Sequence, residues 1–202
     1  MPSVAAALVA IAVSATLAAS APPAITPTSI AGAKLGLGKV AYTRILGRPV
    51  RYQAAGGGAY QDPGFQLPQD YARLFFPKRK TYVYFQDGID HALEIVTWNK
   101  GYRTAERVGP CSSFAQVKKA YGRRLKPNRA NTTLDGTVFS YLVGRSLIFE
   151  FSDVYHGGTP AEDVSAVALF DGSGPGGLKP GGPLYLASYV ALAPYQVPCD
   201  HS

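Results

Sequence analysis

The sequence predicts an α+β fold made of two tandem helix-then-antiparallel-sheet repeats with an added C-terminal segment, and three observations point to it. A helix-sized unit, Tyr42-Thr43-Arg44-Ile45-Leu46-Gly47, has a counterpart 121 − 46 = 75 residues on, Val117-Lys118-Lys119-Ala120-Tyr121-Gly122. Strand-like sequence follows each unit. Those strand-like runs are punctuated by Asp87-Gly88, Asp135-Gly136 and Gly144-Arg145. Such steps favour hairpins, because tight turns that match strand twist need positive φ.

In chain order, residues 4–19 are an unbroken apolar run ending at Ala19-Ser20-Ala21, the small-x-small pattern of a cleaved export signal over residues 1–21. The first basic residue is Lys34, whereas signal peptides open with a cation, so the true start is expected upstream. Pro-rich residues 22–28 read as a linker. The first repeat, 29–107, opens with a helix over about residues 38–46. Leu37, Val40, Ala41 and Ile45 are spaced for one buried stripe, Gly47 closes the helix, and Pro49 prevents continuation. A short strand at 50–53, a Gly-rich loop at 54–64 and a hairpin of 81–86 with 89–98 follow. The second repeat, 108–171, has a helix capped by Ser112 or Ser113, whose side-chain oxygen accepts a free backbone N–H. Its apolar stripe is Phe114, Val117 and Tyr121, and Gly122 closes it. Strands are expected at 137–143, 146–151 and 164–170. The tail, 172–202, is rich in Gly and Pro apart from a final apolar run at 184–192.

The formal net charge is +7, from 20 basic and 13 acidic residues, all of them beyond the expected signal. That balance favours acidic partners. The densest basic cluster is Lys118, Lys119, Arg123, Arg124, Lys126 and Arg129, at the end of the second helix, where cations also relieve exposed carbonyl dipoles. Two cysteines, Cys111 and Cys199, are expected to form a disulfide in an exported chain. The competing reading is a nucleophilic Cys111 at a helix N-terminus, for which no His partner is evident.

Leu35-Gly36-Leu37 with Leu46-Gly47-Arg48-Pro49 resembles the opening of the SmpA/OmlA (BamE-like) envelope proteins. Tyr102-Arg103-Thr104-Ala105, Val108-Gly109 and Ala120-Tyr121-Gly122 are similar to the second helical unit of exported bacterial proteins that carry two such modules. The tandem plan also resembles the beta-lactamase inhibitor protein, in which two helix-plus-sheet repeats form a concave surface. The resemblance spans roughly residues 30–170. It implies an envelope protein without catalytic residues to transfer. Gly38 stands where the family has a small polar helix start, and the tail has no counterpart in it.

No cluster of residues amounts to an active site. Gly172, Gly174 and Gly177 form a lone Gly-x-Gly-x-x-Gly, but Lys179-Pro180-Gly181-Gly182-Pro183 forbids the helix that would offer N–H groups to a phosphate. The His156-Gly157-Gly158 step lacks a nucleophile elbow. His91, His156 and His201 lack zinc-ligand spacing, and Asp153, Glu162 and Asp163 read as a solvated acidic loop. No cofactor, metal, nucleic-acid partner or integral span of the mature chain is expected. Alternation places Tyr82 and Tyr84 on one strand face, opposite Val83 and Phe85, and puts Phe139 and Tyr141 together. If Tyr82, Tyr84, Trp98, Phe139 and Tyr141 share an open face, they form an aromatic platform for a partner. Otherwise the tail covers them or they belong to the core. The functional expectation is a non-catalytic exported binding or structural module at the bacterial cell envelope. It would engage an envelope protein or an anionic cell-wall or lipid component through a sheet face and a basic surface. The alternative is a small secreted hydrolase using Glu94, Glu150 or His156.

Overall fold

A computed structural model describes residues 24–53, 71–86, 90–133, 136–152 and 163–170, together with Cys199. The described residues open with a small antiparallel sheet of β1 (Ile25–Thr26), β2 (Ser29–Ile30) and β3 (Ala33–Lys34), followed by helix α1 (Lys39–Leu46). Four strands come next: β4 (Arg51–Gln53), β5 (Tyr71–Phe76), β6 (Thr81–Gln86) and β7 (Ala92–Thr97). Helix α2 (Phe114–Tyr121) precedes four more: β8 (Leu125–Thr133), β9 (Gly136–Val143), β10 (Leu147–Ser152) and β11 (Ala166–Phe170). These eight form one sheet in the order β4-β5-β6-β7-β11-β10-β9-β8, every pairing antiparallel. The fold is therefore α+β, as the sequence indicates. The export signal, the residues of the Asp87-Gly88 turn, Asp135, His156, the Gly172-Gly174-Gly177 motif and the tail outside Cys199 lie outside the described residues.

Both helices have the same construction. Each is eight residues long and ends on a glycine with positive φ, Gly47 (95°) and Gly122 (51°), a conformation that costs a residue with Cβ about 1 kcal/mol or more. Their buried side chains correspond: Tyr42 and Leu46 in α1, Val117 and Tyr121 in α2, with 117 − 42 = 75. The α1 stripe expected at Leu37, Val40, Ala41 and Ile45 is corrected here, because Val40 and Ile45 are 67% and 36% exposed. Periodicity fixes a spacing of four but not its phase. The phase comes from Tyr42, whose hydroxyl donates to the Lys34 carbonyl in β3 and whose ring meets Phe85 edge-on at 5.9 Å. Gly38 precedes α1 with no side-chain cap. At α2, Ser113 and Gln116 form a reciprocal capping box, with bonds of 3.2 and 2.8 Å. Ser112 instead accepts from the Gly109 N–H.

Several strands fall where the sequence reading has none. Ile25, inside the stretch read as a linker, is in β1 and 1% exposed. β5 pairs along its whole length with β6. β8 is an edge strand whose pairing shifts between Pro127 and Arg129; proline is tolerated there because an edge position and a bulge both spare the missing N–H.

The sheet's two faces bury separate clusters. One face packs Ala72, Leu74, Val83, Phe85 and Ile95 against α1 and the small sheet, and Phe149, Phe151 and Val167 against α2 and Ile25. Each large side chain so buried stabilises the fold by roughly 1.5 to 3 kcal/mol. The other face carries Tyr82, Tyr84, Val96, Trp98, Ile148, Ala166, Ala168 and Phe170.

Candidate functional site

Two regions gather the residues that the sequence singles out. The first is a basic edge. α2 ends at Tyr121, a short 3-10 turn covers Gly122–Arg124, and β8 starts immediately as the sheet's outermost strand. Lys118, Lys119, Arg123, Arg124 and Lys126 are all exposed on this corner, while Arg129 lies in β8. Arg124 is engaged, its guanidinium 3.3 Å from Glu106 and 5.2 Å from the Tyr121 ring centroid. Tyr121 donates its hydroxyl to the other Glu106 oxygen at 3.1 Å. Partial burial raises the Glu106 carboxyl, but hydrogen bonds from its own backbone N–H, Tyr121 and Arg124 outweigh that and hold it below the usual carboxylate range. Burial pushes the Tyr121 phenol up to about 12. Among the described residues, one carboxylate therefore answers one of these five exposed cations.

The second region is the aromatic set, and its members do not share a face. Tyr82 lies 6.0 Å from Tyr84 and 5.1 Å from Trp98, with Phe75 stacked on Trp98 at 5.9 Å. Phe139 and Tyr141 belong to the opposite side, where Tyr141 packs on Phe114 at 4.9 Å and on Phe151 at 5.6 Å. The expectation of one five-residue platform is corrected by register. Phe139 pairs with Phe151 and Tyr141 with Phe149, which fixes their face through β10 and β11. Alternation within a strand says which residues share a face, but not which face of the sheet that is. Moreover, Tyr82, Tyr84 and Trp98 are buried, at 4%, 0% and 8% exposure.

That face also carries charge. Arg73, Tyr84 and Glu94 are paired side by side across β5, β6 and β7, all buried, with Arg73 4.7 Å over the Tyr82 ring. Burial raises the Tyr84 phenol far above its ordinary value, against the pull of Arg73. Glu150, on β10 between Ala166 and Ser140, is fully buried, and neither carboxyl oxygen meets a hydrogen-bond partner among the described residues. Burial, then the charge of Glu94, pushes its carboxyl well above the usual range. Arg73 and Phe75 escape sequence reading because β5 does, although an aromatic run ending at Pro77 is a usable strand signal.

No family model, curated protein or solved structure matches the chain.

Cys111 is joined to Cys199, their Cα atoms 5.4 Å apart, so the nucleophilic-thiol reading is withdrawn. The Cys111 N–H donates to the Val164 carbonyl and the Val164 N–H to Ser112, each at 2.8 Å, tying the start of α2 to the approach of β11. Among the described residues no group of three or more His, Cys, Asp and Glu side chains could hold a metal ion, and no helix is long and apolar enough to cross a membrane. His91 is exposed, whereas Asp163 is half-buried beside Ser113. His156, His201, Asp153 and Glu162 lie outside the described residues.

Proposed function

We propose that this chain is an exported, non-catalytic binding module of the bacterial cell envelope, and that it holds an anionic cell-wall or lipid component by its basic edge. The observation that carries the reading is the exposed run of Lys118, Lys119, Arg123 and Lys126, which Glu106 does not neutralise because it is engaged with Arg124. Four cations on one rigid corner attract a polyanion, and screening beyond about 8 Å at physiological salt makes that attraction salt-dependent. The disulfide supports an oxidising compartment.

The architecture behind this edge is read as two copies of one module, α1 with β4–β7 and α2 with β8–β11, joined where β7 meets β11. Equal helix lengths, matching glycine caps, the 75-residue spacing of buried side chains and the strand order support the duplication. A BamE-like or inhibitor-like ancestry is the corresponding proposal.

The test is co-sedimentation with vesicles of phosphatidylglycerol, vesicles of phosphatidylcholine alone, and an insoluble anionic wall polymer. Binding to an anionic surface that collapses as salt rises past about 0.15 M, and that is lost when Lys118, Lys119, Arg123 and Lys126 become Ser, is the expected result. Binding indifferent to salt, or unchanged in the variant, refutes the assignment. Binding confined to an acidic envelope protein would move the partner to a different class.

A second reading, the small hydrolase, has one observation in its favour: Glu94 and Glu150 share a sheet face and one shifts the other's proton affinity. Both are closed off from water, so substrate has no access to them in this conformation.

A further inference from the structure

The large apolar side chains exposed among the described residues are Val40 (67%), Ile45 (36%) and Val50 (68%), and all three lie in α1 or just beyond it. Helix geometry turns part of this set outward. Tyr42 and Leu46 are the buried residues of α1, so at 3.6 residues per turn Arg44, two residues from each, stands on the opposite side of the helix. Val40 is one turn before it. Ile45 flanks that ridge, and Thr43, also exposed, turns its hydroxyl back to the Lys39 carbonyl at 3.2 Å.

The charge in this segment has one sign. Lys34, Arg44 and Arg48 are exposed, and residues 24–53 contain no Asp or Glu. A carboxylate does approach the start of α1, where Asp90 Oδ2 lies 3.9 Å from the place a Cβ on Gly38 would take. There it complements the helix dipole, at the end of α1 away from Arg44, Arg48 and Val50. Helix α2 repeats the arrangement without the apolar part. Lys119 is two residues from the buried Val117 and Tyr121, as Arg44 is from Tyr42 and Leu46, and exposed Ala115 stands where α1 has Val40. Both helices pack on the same face of the sheet, so both cationic ridges are turned to one side of the molecule.

Isolated aliphatic side chains set among exposed cations match the boundary of an anionic bilayer, where cations meet phosphate headgroups and aliphatic groups reach the upper acyl region. A hydrated wall polymer offers nothing apolar to Val40 and Val50. Protein partners are gripped through anchors enriched in Trp, Tyr and Arg and seated in pockets, whereas the large apolar groups exposed here are all aliphatic. We propose that the helix side of the sheet rests on an anionic lipid surface, with Val40, Ile45 and Val50 at the lipid boundary and Arg44, Arg48 and Lys119 on phosphate headgroups. This builds on the anion-binding role of the basic edge and selects lipid over wall polymer.

The test uses residues 22–202, which hold every described element and lack the apolar run at 4–19 that would enter vesicles by itself. The parent is compared with the double variant Val40→Ser, Val50→Ser and with the variant in which Lys118, Lys119, Arg123 and Lys126 become Ser. Each is titrated with phosphatidylglycerol vesicles and with soluble polyphosphate, an anion without an apolar part, after far-UV circular dichroism has verified the fold. The expected result for the double variant is several-fold weaker vesicle binding with polyphosphate binding unchanged. Vesicle binding equal to the parent's, or equal weakening toward both probes, overturns the lipid face and leaves the basic edge standing. Polyphosphate binding that survives loss of the four cations refutes the basic edge instead. A second measurement is the emission of Val40→Trp after subtraction of the parent, whose single Trp98 is 8% exposed. A blue shift on phosphatidylglycerol vesicles, with quenching by brominated acyl chains, upholds the contact, and emission unchanged by vesicles refutes it.

Discussion

Glu94 on β7 and Glu150 on β10 lie on the same buried face of the sheet, one strand apart across β11, and the charge of the first adds to burial in raising the proton affinity of the second. Arg73 and Tyr84 stand beside Glu94 in register, and Ser140 is opposite Glu150. Glu150 therefore keeps its proton in the folded chain at pH values where an unfolded chain, with an ordinary carboxyl near pH 4.3, has lost it.

The pH dependence follows with a definite sign. Below about pH 4.3 the Glu150 contribution is fully present. As pH rises from there through the raised folded value, the native state binds more protons than the unfolded one, and stability declines. Glu150→Gln removes that decline. Thermal melts from about pH 4 to pH 9 should show the variant gaining on the parent as pH rises. Parallel melting curves for the two proteins would sink the idea.

The disulfide closes a sequence separation of 88 residues, and the chain-entropy account assigns such a loop roughly 4 to 5 kcal/mol. Replacing Cys111 and Cys199 together by Ser should lower unfolding stability toward that amount in a urea titration. Native protein that alkylates at both thiols without reductant, as read by mass spectrometry, contradicts the bond itself.

At the start of α2 the capping box makes a local prediction. Ser113→Ala leaves the Gln116 N–H without its partner and should cost about 1 kcal/mol, whereas Ala115→Ser, at an exposed helix position, should cost only a few tenths. Equal losses in chemical denaturation would mean that the box contributes nothing.

The Tyr121–Glu106–Arg124 cluster predicts a division of roles on the basic edge. Tyr121→Phe deletes the hydroxyl that donates to Glu106 and should lower stability by about 1 kcal/mol while leaving anion binding intact. Glu106→Gln removes the carboxylate that pairs with Arg124 and should strengthen anion binding at low salt. Vesicle co-sedimentation of both variants checks this, and weaker binding by Glu106→Gln counts against a purely electrostatic edge.

Much of the frame is legible in the residues. Gly47 and Gly122 mark both helix ends because only glycine takes their φ cheaply, and the runs around Asp87-Gly88 and Gly144-Arg145 become the β6–β7 and β9–β10 pairs. What escapes is whatever depends on partners distant in sequence. β8, carrying Pro127, Asn128 and Asn131, has poor strand composition and exists because β9 pairs with it on both sides of the shift between Pro127 and Arg129. The side to which Phe139 and Tyr141 turn is settled by register through β10 and β11, which their own strand does not encode. The basic corner is plain in the sequence because its charges are consecutive, whereas the Arg73, Tyr84, Glu94 and Glu150 group is assembled from four strands.

The position of β11 has a consequence for biogenesis. It is the last of the described strands in chain order yet lies in the middle of the sheet, between β7 and β10. A ribosome delivers it after the other described strands, so the facing edges of β7 and β10 stay open until residue 170 has emerged. Final closure is a late, non-local event of the slow kind, and unpaired edges in the meantime invite association with other chains. The Cys111–Cys199 bond is likewise a late closure, because Cys199 follows β11 in the chain and cannot pair before that strand has been made.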